Sequence, residues 1–182
     1  MAGLLTPGAR TFMNHDTYTD DYIRGILNSA RSFAIVGASA NTVRPSYFVV
    51  KYLIEKGYTV VPVNPGKAGG QILGQGVYAS LKDIPDPVDV VDIFRNSEAA
   101  LAITRQAVDI GAKVVWMQLG VRNDEAAREA EAAGMQVVMN RCPKIEYARL
   151  SGEIGWAGVN SRAISSARPK LAPKGVQHRV LR

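Results

Sequence analysis

The hydrophobic positions of this chain fall into short apolar runs separated by amphipathic stretches, from about residue 19 to residue 150. The short runs are typical of buried parallel strands, and the stretches between them have the length of helices. Strands that alternate with helices indicate an α/β fold with parallel pairing and right-handed crossovers. We therefore predict a three-layer Rossmann-like domain, in which a mostly parallel sheet of about five strands has helices on both faces.

Turn and cap residues mark the ends of these elements. Thr19 and Asn123 are expected to cap helices, as is Ser97, and a glycine follows each of three later helices shortly before the next strand. Pro62 cannot donate a ladder hydrogen bond, so its strand is expected to be short or bonded on one side only. The predicted strands are 32–36, 59–63, 88–94, 113–119 and 136–139, with a short strand or extended link at 77–80, and the predicted helices are 19–28, 46–56, 97–111, 123–134 and 143–150.

The two ends of the chain lack this alternation. Residues 1–18 have no hydrophobic period and are predicted to form a flexible or loosely docked N-terminal segment. Residues 151–182 contain six basic residues and one acid, so they hold +5 of the net charge of +6. The predicted organisation is a flexible segment at 1–18, a Rossmann-like domain at 19–150 and a basic C-terminal extension at 151–182.

Charge and composition narrow the classes of function. Because the excess charge is confined to the extension, the domain does not resemble a basic nucleic-acid platform, and nucleic acid is not expected as a partner. No apolar run has the length of a membrane span, and the N-terminus is too weakly apolar for a secretory signal, so we expect a soluble cytoplasmic protein. The single cysteine, Cys142, excludes an internal disulfide and a cysteine-based zinc site.

The turn after the first strand is the most informative stretch of the sequence. Gly37 permits a tight turn and close backbone approach, and Pro45 suits the first turn of the helix that follows. Amide groups at this helix start would face an anion, with Ser39 and Asn41 as further donors and Arg44 as a phosphate ligand. The pattern favours a phosphate site, although a tight turn with a helix cap and a solvent-facing arginine would look the same.

The complete dinucleotide fingerprint is absent from this turn. Ser39 and Thr42 stand where the second and third glycines of G-x-G-x-x-G would be. After the second strand, Asn64 stands where NAD-binding domains have an acid, and Lys67 follows it. A lysine there suits the 2′-phosphate of NADP or the 3′-phosphate of coenzyme A. The residues therefore predict a phosphorylated nucleotide other than NAD and leave these two open.

Several short motifs occur together and in a characteristic order. They are G-A-S, R-P-S, V-N-P-G-K, V-D-I-F-R, W-M-Q-L-G-V and N-R-C-P. In this order and spacing, over roughly residues 20–168, they resemble the small stand-alone coenzyme A-binding proteins, which are similar to the N-terminal domain of the succinyl-CoA synthetase α subunit. The resemblance implies coenzyme A or an acyl-CoA as ligand, and a binding or regulatory module without a complete catalytic site.

The same resemblance implies a set of coenzyme-binding positions. Lys67 matches a lysine that contacts the coenzyme in the synthetase domain, and Gln118 lies in a segment that also touches it. Leu119 stands where the synthetase has an acid, and core packing is the alternative interpretation for Met117 and Leu119. The predicted cofactor-binding residues are Gly37, Ala38, Ser39, Ala40, Asn41, Arg44, Asn64, Pro65, Lys67, Phe94, Arg95, Met117, Gln118 and Leu119.

Catalytic candidates are few. The two histidines, His15 and His178, lie in the terminal segments, away from the expected place of a general base. Cys142 follows the last strand, and Arg141 could lower the pKa of its thiol, although a buried structural cysteine is the alternative. We predict no metal site and no catalytic residue other than Cys142 as a weak candidate. Asp89 and Asp92 are interpreted as strand-end or capping groups.

Two other functions remain compatible with the sequence. An NADP-linked oxidoreductase would use Arg44 and Lys67 for a 2′-phosphate. An interaction protein would use the basic extension and Trp156 to dock on a partner. A homo-oligomer is also expected, because the segment after Leu150 needs a surface to cover.

Overall fold

The computed structural model describes residues 12–153 and contains the predicted alternation of strands and helices. Two short 3-10 helices, Pro65–Lys67 and Leu81–Asp83, lie in the connections. The strands are β1 Ser32–Val36, β2 Thr59–Val63, β3 Gln71–Ile72, β4 Gln75–Gly76, β5 Val90–Ile93, β6 Val114–Met117 and β7 Gln136–Val138. The helices are α1 Asp20–Ser29, α2 Pro45–Glu55, α3 Ser97–Asp109, α4 Asp124–Ala132 and α5 Pro143–Leu150.

Five strands form one parallel sheet in the order β2-β1-β5-β6-β7. The chain moves outward from β1 to β2 and then returns to the other side of β1, so the strand order reverses between β1 and β5. In open α/β sheets a crevice for ligands forms outside the carboxyl ends of the strands at such a switch point. The fold therefore brings the turn after β1 next to the residues that follow β5.

Two hydrophobic layers cover the sheet, as predicted. On one face Phe33, Ile35 and Trp116 pack with α1, α2 and α5. On the other face Val91 and Met117 pack with α3 and α4. Strands with apolar residues on both faces are expected in a parallel sheet enclosed by helices, and the predicted three-layer Rossmann-like class is confirmed.

Most of the predicted turn chemistry is present, with one error. The side chains of Thr19 and Asn123 accept hydrogen bonds at the starts of α1 and α4, as predicted. The prediction that Ser97 caps α3 is wrong, because the side chain of Asn96 accepts from the Ala99 amide at 3.1 Å. Ser97 is instead the first residue of the helix, and its hydroxyl oxygen accepts from the Arg122 amide at 3.0 Å.

The edge of the sheet beyond β2 differs in detail from the sequence prediction. Pro62 lies in an edge strand whose ladder partner is β1, although the Tyr78 amide donates to the Pro62 carbonyl at 3.0 Å on the outer side. The predicted link at 77–80 forms a single parallel bridge between Tyr78 and Val63. The β3–β4 hairpin was not predicted, because its turn at Leu73 and Gly74 has only one glycine as a sequence signal.

The described part of the N-terminal segment lies against the domain. His15 is buried, and its Nε2 atom is 3.0 Å from the Glu131 carboxylate of α4. The hydroxyl oxygen of Tyr18 accepts from the Met139 amide at 2.7 Å. The boundaries predicted at residues 18 and 150 stay predictions, and most of the basic extension, including Trp156 and His178, lies outside the described residues. Between residues 12 and 153, no helix is long and apolar enough to cross a membrane.

Candidate functional site

A cavity of ≈ 870 Å³ opens at the carboxyl edge of the sheet, at the reversal of strand order. Its volume and its mixture of apolar walls with a few polar groups are typical of small-molecule sites. Of the residues predicted for binding or catalysis, those that line the cavity are Gly37, Ser39, Arg44, Asn64, Phe94, Arg95, Gln118, Leu119 and Cys142. Those that do not line it are Ala38, Ala40, Asn41, Pro65, Lys67 and Met117.

Gly37 allows the first turn to lie directly against β5. Its φ is +90°, and a Cβ atom there would lie 2.6 Å from the carbonyl oxygen of Phe94. The sequence predicted a tight turn and a close backbone approach at this position, and the backbone that approaches belongs to the residue after β5. The glycine therefore joins two strand ends at the mouth of the cavity.

The turn after Gly37 presents free backbone donors in addition to its side-chain donors. The hydroxyl of Ser39 accepts from the Asn41 amide at 3.1 Å, and the Asn41 side chain accepts from the Val43 amide at 3.0 Å. These two side-chain oxygens thus order the turn, and the bonds leave unused the Ser39 O–H and the Asn41 NH2, which are the groups predicted to donate to a phosphate. The amides of Ala40 and Thr42, like that of Ser39, have no acceptor among residues 12–153. The turn therefore offers free N–H groups just before α2.

Two arginines supply positive charge at the cavity. The exposed side chains of Arg44 and Arg95 line it, and neither forms an ion pair within the part of the chain that the structure describes. No aspartate or glutamate is among the described residues that line the cavity. The site is therefore electrostatically suited to an anionic ligand, and guanidinium groups can bind phosphate oxygens in a bidentate manner.

Asn64 connects the turn after β2 to the turn after β1. Its side-chain amide donates to the Ala38 carbonyl at 2.8 Å, and its side-chain oxygen accepts from the Gly66 amide at 2.9 Å. These bonds occupy the side chain that would replace the ribose-binding acid of NAD sites. Lys67 follows in the short 3-10 helix after Pro65; it is exposed and has no ion-pair partner in the described region.

The segment at the end of β6 divides into a core residue and cavity residues. Met117 is fully buried on the α3–α4 face, so core packing accounts for it. Gln118 lines the cavity, and its side-chain nitrogen lies 2.9 Å from both carboxylate oxygens of Asp92. Leu119 is largely exposed and also lines the cavity, so core packing does not account for it.

Asp92 is a buried acid beneath the cavity residue Gln118, and its position differs from the prediction. The prediction of a strand-end group is wrong, since this carboxyl lies within β5 and is completely buried. The strand register places it between Ile35 and Trp116. Burial raises its pKa well above the ordinary value, and the hydrogen bond from Gln118 only partly opposes this. An acid in the middle of an otherwise apolar strand was the available sequence signal.

Cys142 lies at the N-terminus of α5 and lines the cavity. Burial raises the pKa of its thiol, opposed in part by the amides of Ile145 and Lys144. The prediction that Arg141 lowers this pKa is therefore wrong. The Arg141 guanidinium points away, since one nitrogen donates to the Asn140 carbonyl at 2.8 Å and the group lies over the Tyr18 ring.

The remaining cavity wall is mostly apolar and was not predicted. It consists of residues from the first turns of α2 and α5 and from the loop after β6. Across residues 12–153, no group of three or more His, Cys, Asp or Glu side chains could hold a metal ion. The wall residues are Val43, Pro45, Ser46, Phe48, Val49, Val121, Lys144 and Ile145.

Comparison with known proteins finds relatives for most of the described domain. An uncharacterized protein of Bacillus subtilis, YneT, is 35% identical over 126 residues, which is 69% of this chain and 92% of that protein. A solved structure of a hypothetical protein from Pyrococcus horikoshii is 41% identical with a TM-score of 0.70, and the alignment covers 78% of this chain and 99% of that one.

A larger protein contains a similar region. The α subunit of an ADP-forming acetate–CoA ligase from Pyrococcus furiosus is 36% identical over 95 residues, or 49% of this chain and 20% of the subunit. A sequence profile described as a CoA binding domain matches residues 31–148, so the family expected from the motifs is confirmed. With this match and the YneT relative, the chain belongs to the CoA-binding domain family.

Proposed function

We propose that this protein binds coenzyme A or an acyl-CoA in the cavity at the carboxyl edge of its sheet, as a binding or regulatory module. Membership of the CoA-binding domain family supports the ligand. The observation that carries the proposal is the pair Arg44 and Arg95 beside the free amides of the first turn. An anion with several phosphate oxygens would give partners to all of these groups at once.

The order of the strands suggests how the ligand lies. The turns after β2, β1, β5 and β6 follow one another along the sheet edge over about 14 Å, given the usual spacing of strands. In this proposal Lys67 binds the 3′-phosphate, the turn after β1 binds the pyrophosphate, and the pantetheine arm crosses Phe94 and Gln118. Lys67 then acts from outside the cavity, where a ribose phosphate would still reach it.

The arrangement of Asn64 argues for coenzyme A over a nicotinamide dinucleotide. Both hydrogen-bonding ends of its side chain are engaged within the protein, with Ala38 and Gly66. A ribose diol would have to displace these bonds, whereas a phosphate beside Lys67 would not. The 2′-phosphate of NADP would also suit Lys67, so NADPH is included among the ligands titrated.

Calorimetric titration of the full chain tests the proposal, with coenzyme A, 3′-dephospho-CoA, NADPH and NADH as ligands. We expect binding of coenzyme A, weaker binding without the 3′-phosphate, and no comparable binding of NADPH or NADH. Arg44→Ala and Arg95→Ala should each weaken coenzyme A binding by roughly tenfold, since each removes a charge-assisted hydrogen bond. Lys67→Ala should reduce the preference for coenzyme A over its 3′-dephospho form.

Arg128→Ala is the matched control. Arg128 is an exposed arginine of α4, which packs on the opposite face of the sheet, and its loss lowers the net charge equally. Coenzyme A affinity should be unchanged in this variant. Binding of NADPH with no response to coenzyme A would contradict the proposal and favour an oxidoreductase.

A separate assay tests whether the protein is a binding module or an enzyme that acts on the thioester. Acetyl-CoA incubated with the protein should release no free thiol above the rate in buffer, as followed with a thiol reagent. Sustained release that depends on protein concentration would show an enzyme instead. The cytoplasmic location and the homo-oligomer stay predictions.

A further inference from the structure

Exposed apolar side chains converge on the cavity. Seven large hydrophobic residues within the described region are exposed, and four of them line this one cavity: Val43, Phe48, Leu119 and Ile145. Single exposed apolar residues are common on protein surfaces, but a group at the mouth of a pocket marks a site that buries apolar surface on binding. We call these four residues the apolar rim.

The apolar rim is assembled from three separate segments of the chain. Val43 lies in the turn just before α2 and Phe48 in the first turn of that helix, while Leu119 follows β6 and Ile145 lies in the first turn of α5. Their side chains are 45% to 76% exposed. No single amphipathic helix accounts for them, so the feature they share is the cavity.

The wall behind the rim is also apolar. Val49 and Val121 line the cavity as buried residues, and Cys142 lies beside them. Lys144 lines the same region, with its Nζ atom 5.7 Å from the centre of the Phe48 ring, and no carboxylate pairs with it within residues 12–153. Apart from the Lys144 ammonium, this part of the site therefore offers mostly carbon surface and few hydrogen-bonding groups.

We infer that the preferred ligand is a coenzyme A thioester with an apolar acyl chain of medium length, and that this chain lies against the apolar rim. The inference rests on the proposed function and adds the acyl class. The pantetheine arm contains two amides that need hydrogen-bond partners, which the rim side chains do not provide. A hydrocarbon chain needs none and gains by leaving water.

The proposed course of the coenzyme brings its thiol end to the rim. The phosphates lie at the turn after β1, and the arm runs toward β6, where Gln118 and Leu119 follow the strand. The sulfur then lies near the N-terminus of α5, beside Cys142 and Ile145. An acyl group on that sulfur would continue between α2 and α5.

Calorimetry with coenzyme A, acetyl-CoA, succinyl-CoA and octanoyl-CoA on the full chain tests this inference. Octanoyl-CoA should bind roughly tenfold more tightly than acetyl-CoA, because several methylene groups leave water. Succinyl-CoA has a carboxylate that the Lys144 ammonium beside Phe48, unpaired within the described residues, could bind, so it is the competing acyl class, and binding as tight as that of octanoyl-CoA would overturn the preference for an apolar chain. We call the ratio of octanoyl-CoA affinity to acetyl-CoA affinity the octanoyl advantage. In the rim variant, which combines Val43→Ser with Ile145→Ser, this advantage should fall to about threefold or less.

Leu73→Asn is the matched control. Leu73 is an exposed leucine that does not line the cavity, and asparagine tolerates its positive φ of 51°. This variant removes exposed apolar surface elsewhere and should keep the full octanoyl advantage. Circular dichroism of each variant verifies that the fold is retained.

The outcomes separate this inference from the proposed function. Coenzyme A binding without an octanoyl advantage would overturn the inference and leave the proposed function intact. Failure of every coenzyme A derivative to bind would overturn the proposed function itself. An octanoyl advantage that survives in the rim variant would overturn the placement of the chain. A solution mass that falls from two chains to one in that variant would show that a second copy covers the rim.

Discussion

The two edges of the same parallel sheet are built in opposite ways. At the amino edge, the Asp89 carboxylate accepts from the amides of Arg31 and Ser32 at 2.7 and 3.3 Å, and Lys113 lies 2.8 Å from its other oxygen. At the carboxyl edge, the Arg44 side chain and the amides of Ala40 and Thr42 have no such partners among the residues described.

The difference separates groups that stabilise the fold from the groups that we propose bind the ligand. Polar groups that a protein satisfies internally contribute to folding, whereas converging groups left free at a cavity gain their partners on binding. The two edges should therefore respond differently to substitution. Changes at the amino edge should alter the free energy of unfolding alone, and changes at the carboxyl edge should alter affinity.

Gly37→Ala should have the largest effect, because it breaks the contact between the two strand ends at the cavity. The new Cβ would meet the Phe94 carbonyl and would stand on a φ of +90°, so we expect a loss of about 3 kcal/mol in the free energy of unfolding. Urea denaturation measures this loss, and coenzyme A titration should show weakened binding in the fraction that folds.

Gly111→Ala is the control for this substitution. Gly111 also has a positive φ, of 71°, but a Cβ there would meet nothing within 4 Å. Only the backbone penalty of about 1 kcal/mol applies, with no change in coenzyme A affinity. Equal losses in the two variants would show that close packing of Gly37 on Phe94 has no energetic importance.

Asp89→Ala should disrupt hydrogen bonds at the amino edge of the sheet and leave the carboxyl edge unchanged. The substitution leaves the amides of Arg31 and Ser32 without their acceptor, which should lower the free energy of unfolding by about 2 kcal/mol. Coenzyme A affinity should stay at the wild-type value. The exposed Asp86→Ala variant removes the same charge and should change neither quantity. A large change in affinity in Asp89→Ala would contradict the separation of the two edges.

Asp92→Asn should change how the free energy of unfolding depends on pH. Burial holds the pKa of Asp92 above its ordinary value of 3.8, so the folded state keeps a proton that the unfolded state loses as pH rises. The wild type therefore loses stability with rising pH through this group, and the variant does not. The stability of Asp92→Asn relative to the wild type should rise by about 1 kcal/mol over the pH unit above about 4.5.

Paired urea denaturation curves at several pH values measure this difference. Other carboxylates titrate equally in both proteins, so their contributions cancel. A relative stability that is constant with pH would show that the Asp92 carboxyl has an ordinary pKa despite its burial. The asparagine can still hydrogen-bond Gln118, so the side-chain contact is largely kept.

The sequence by itself determined the α/β alternation, the caps at Thr19 and Asn123, and the glycine turn beside Arg44. These features depend on residues that are neighbours in the chain, where periodicity and turn chemistry act locally. The order of the family motifs also predicted the CoA-binding domain family, which the profile match confirms. Where the local signal was shared by adjacent residues, as at Asn96 and Ser97, the prediction chose the wrong one.

Only the tertiary structure decided which of these residues meet. Strand order brought Phe94 against Gly37, and strand register buried Asp92 and gave it Gln118 as its partner. The packing of α2 near α5 assembled the apolar rim from segments about a hundred residues apart. Distances between remote segments depend on the pairing and register of the whole sheet, which no short stretch of sequence encodes.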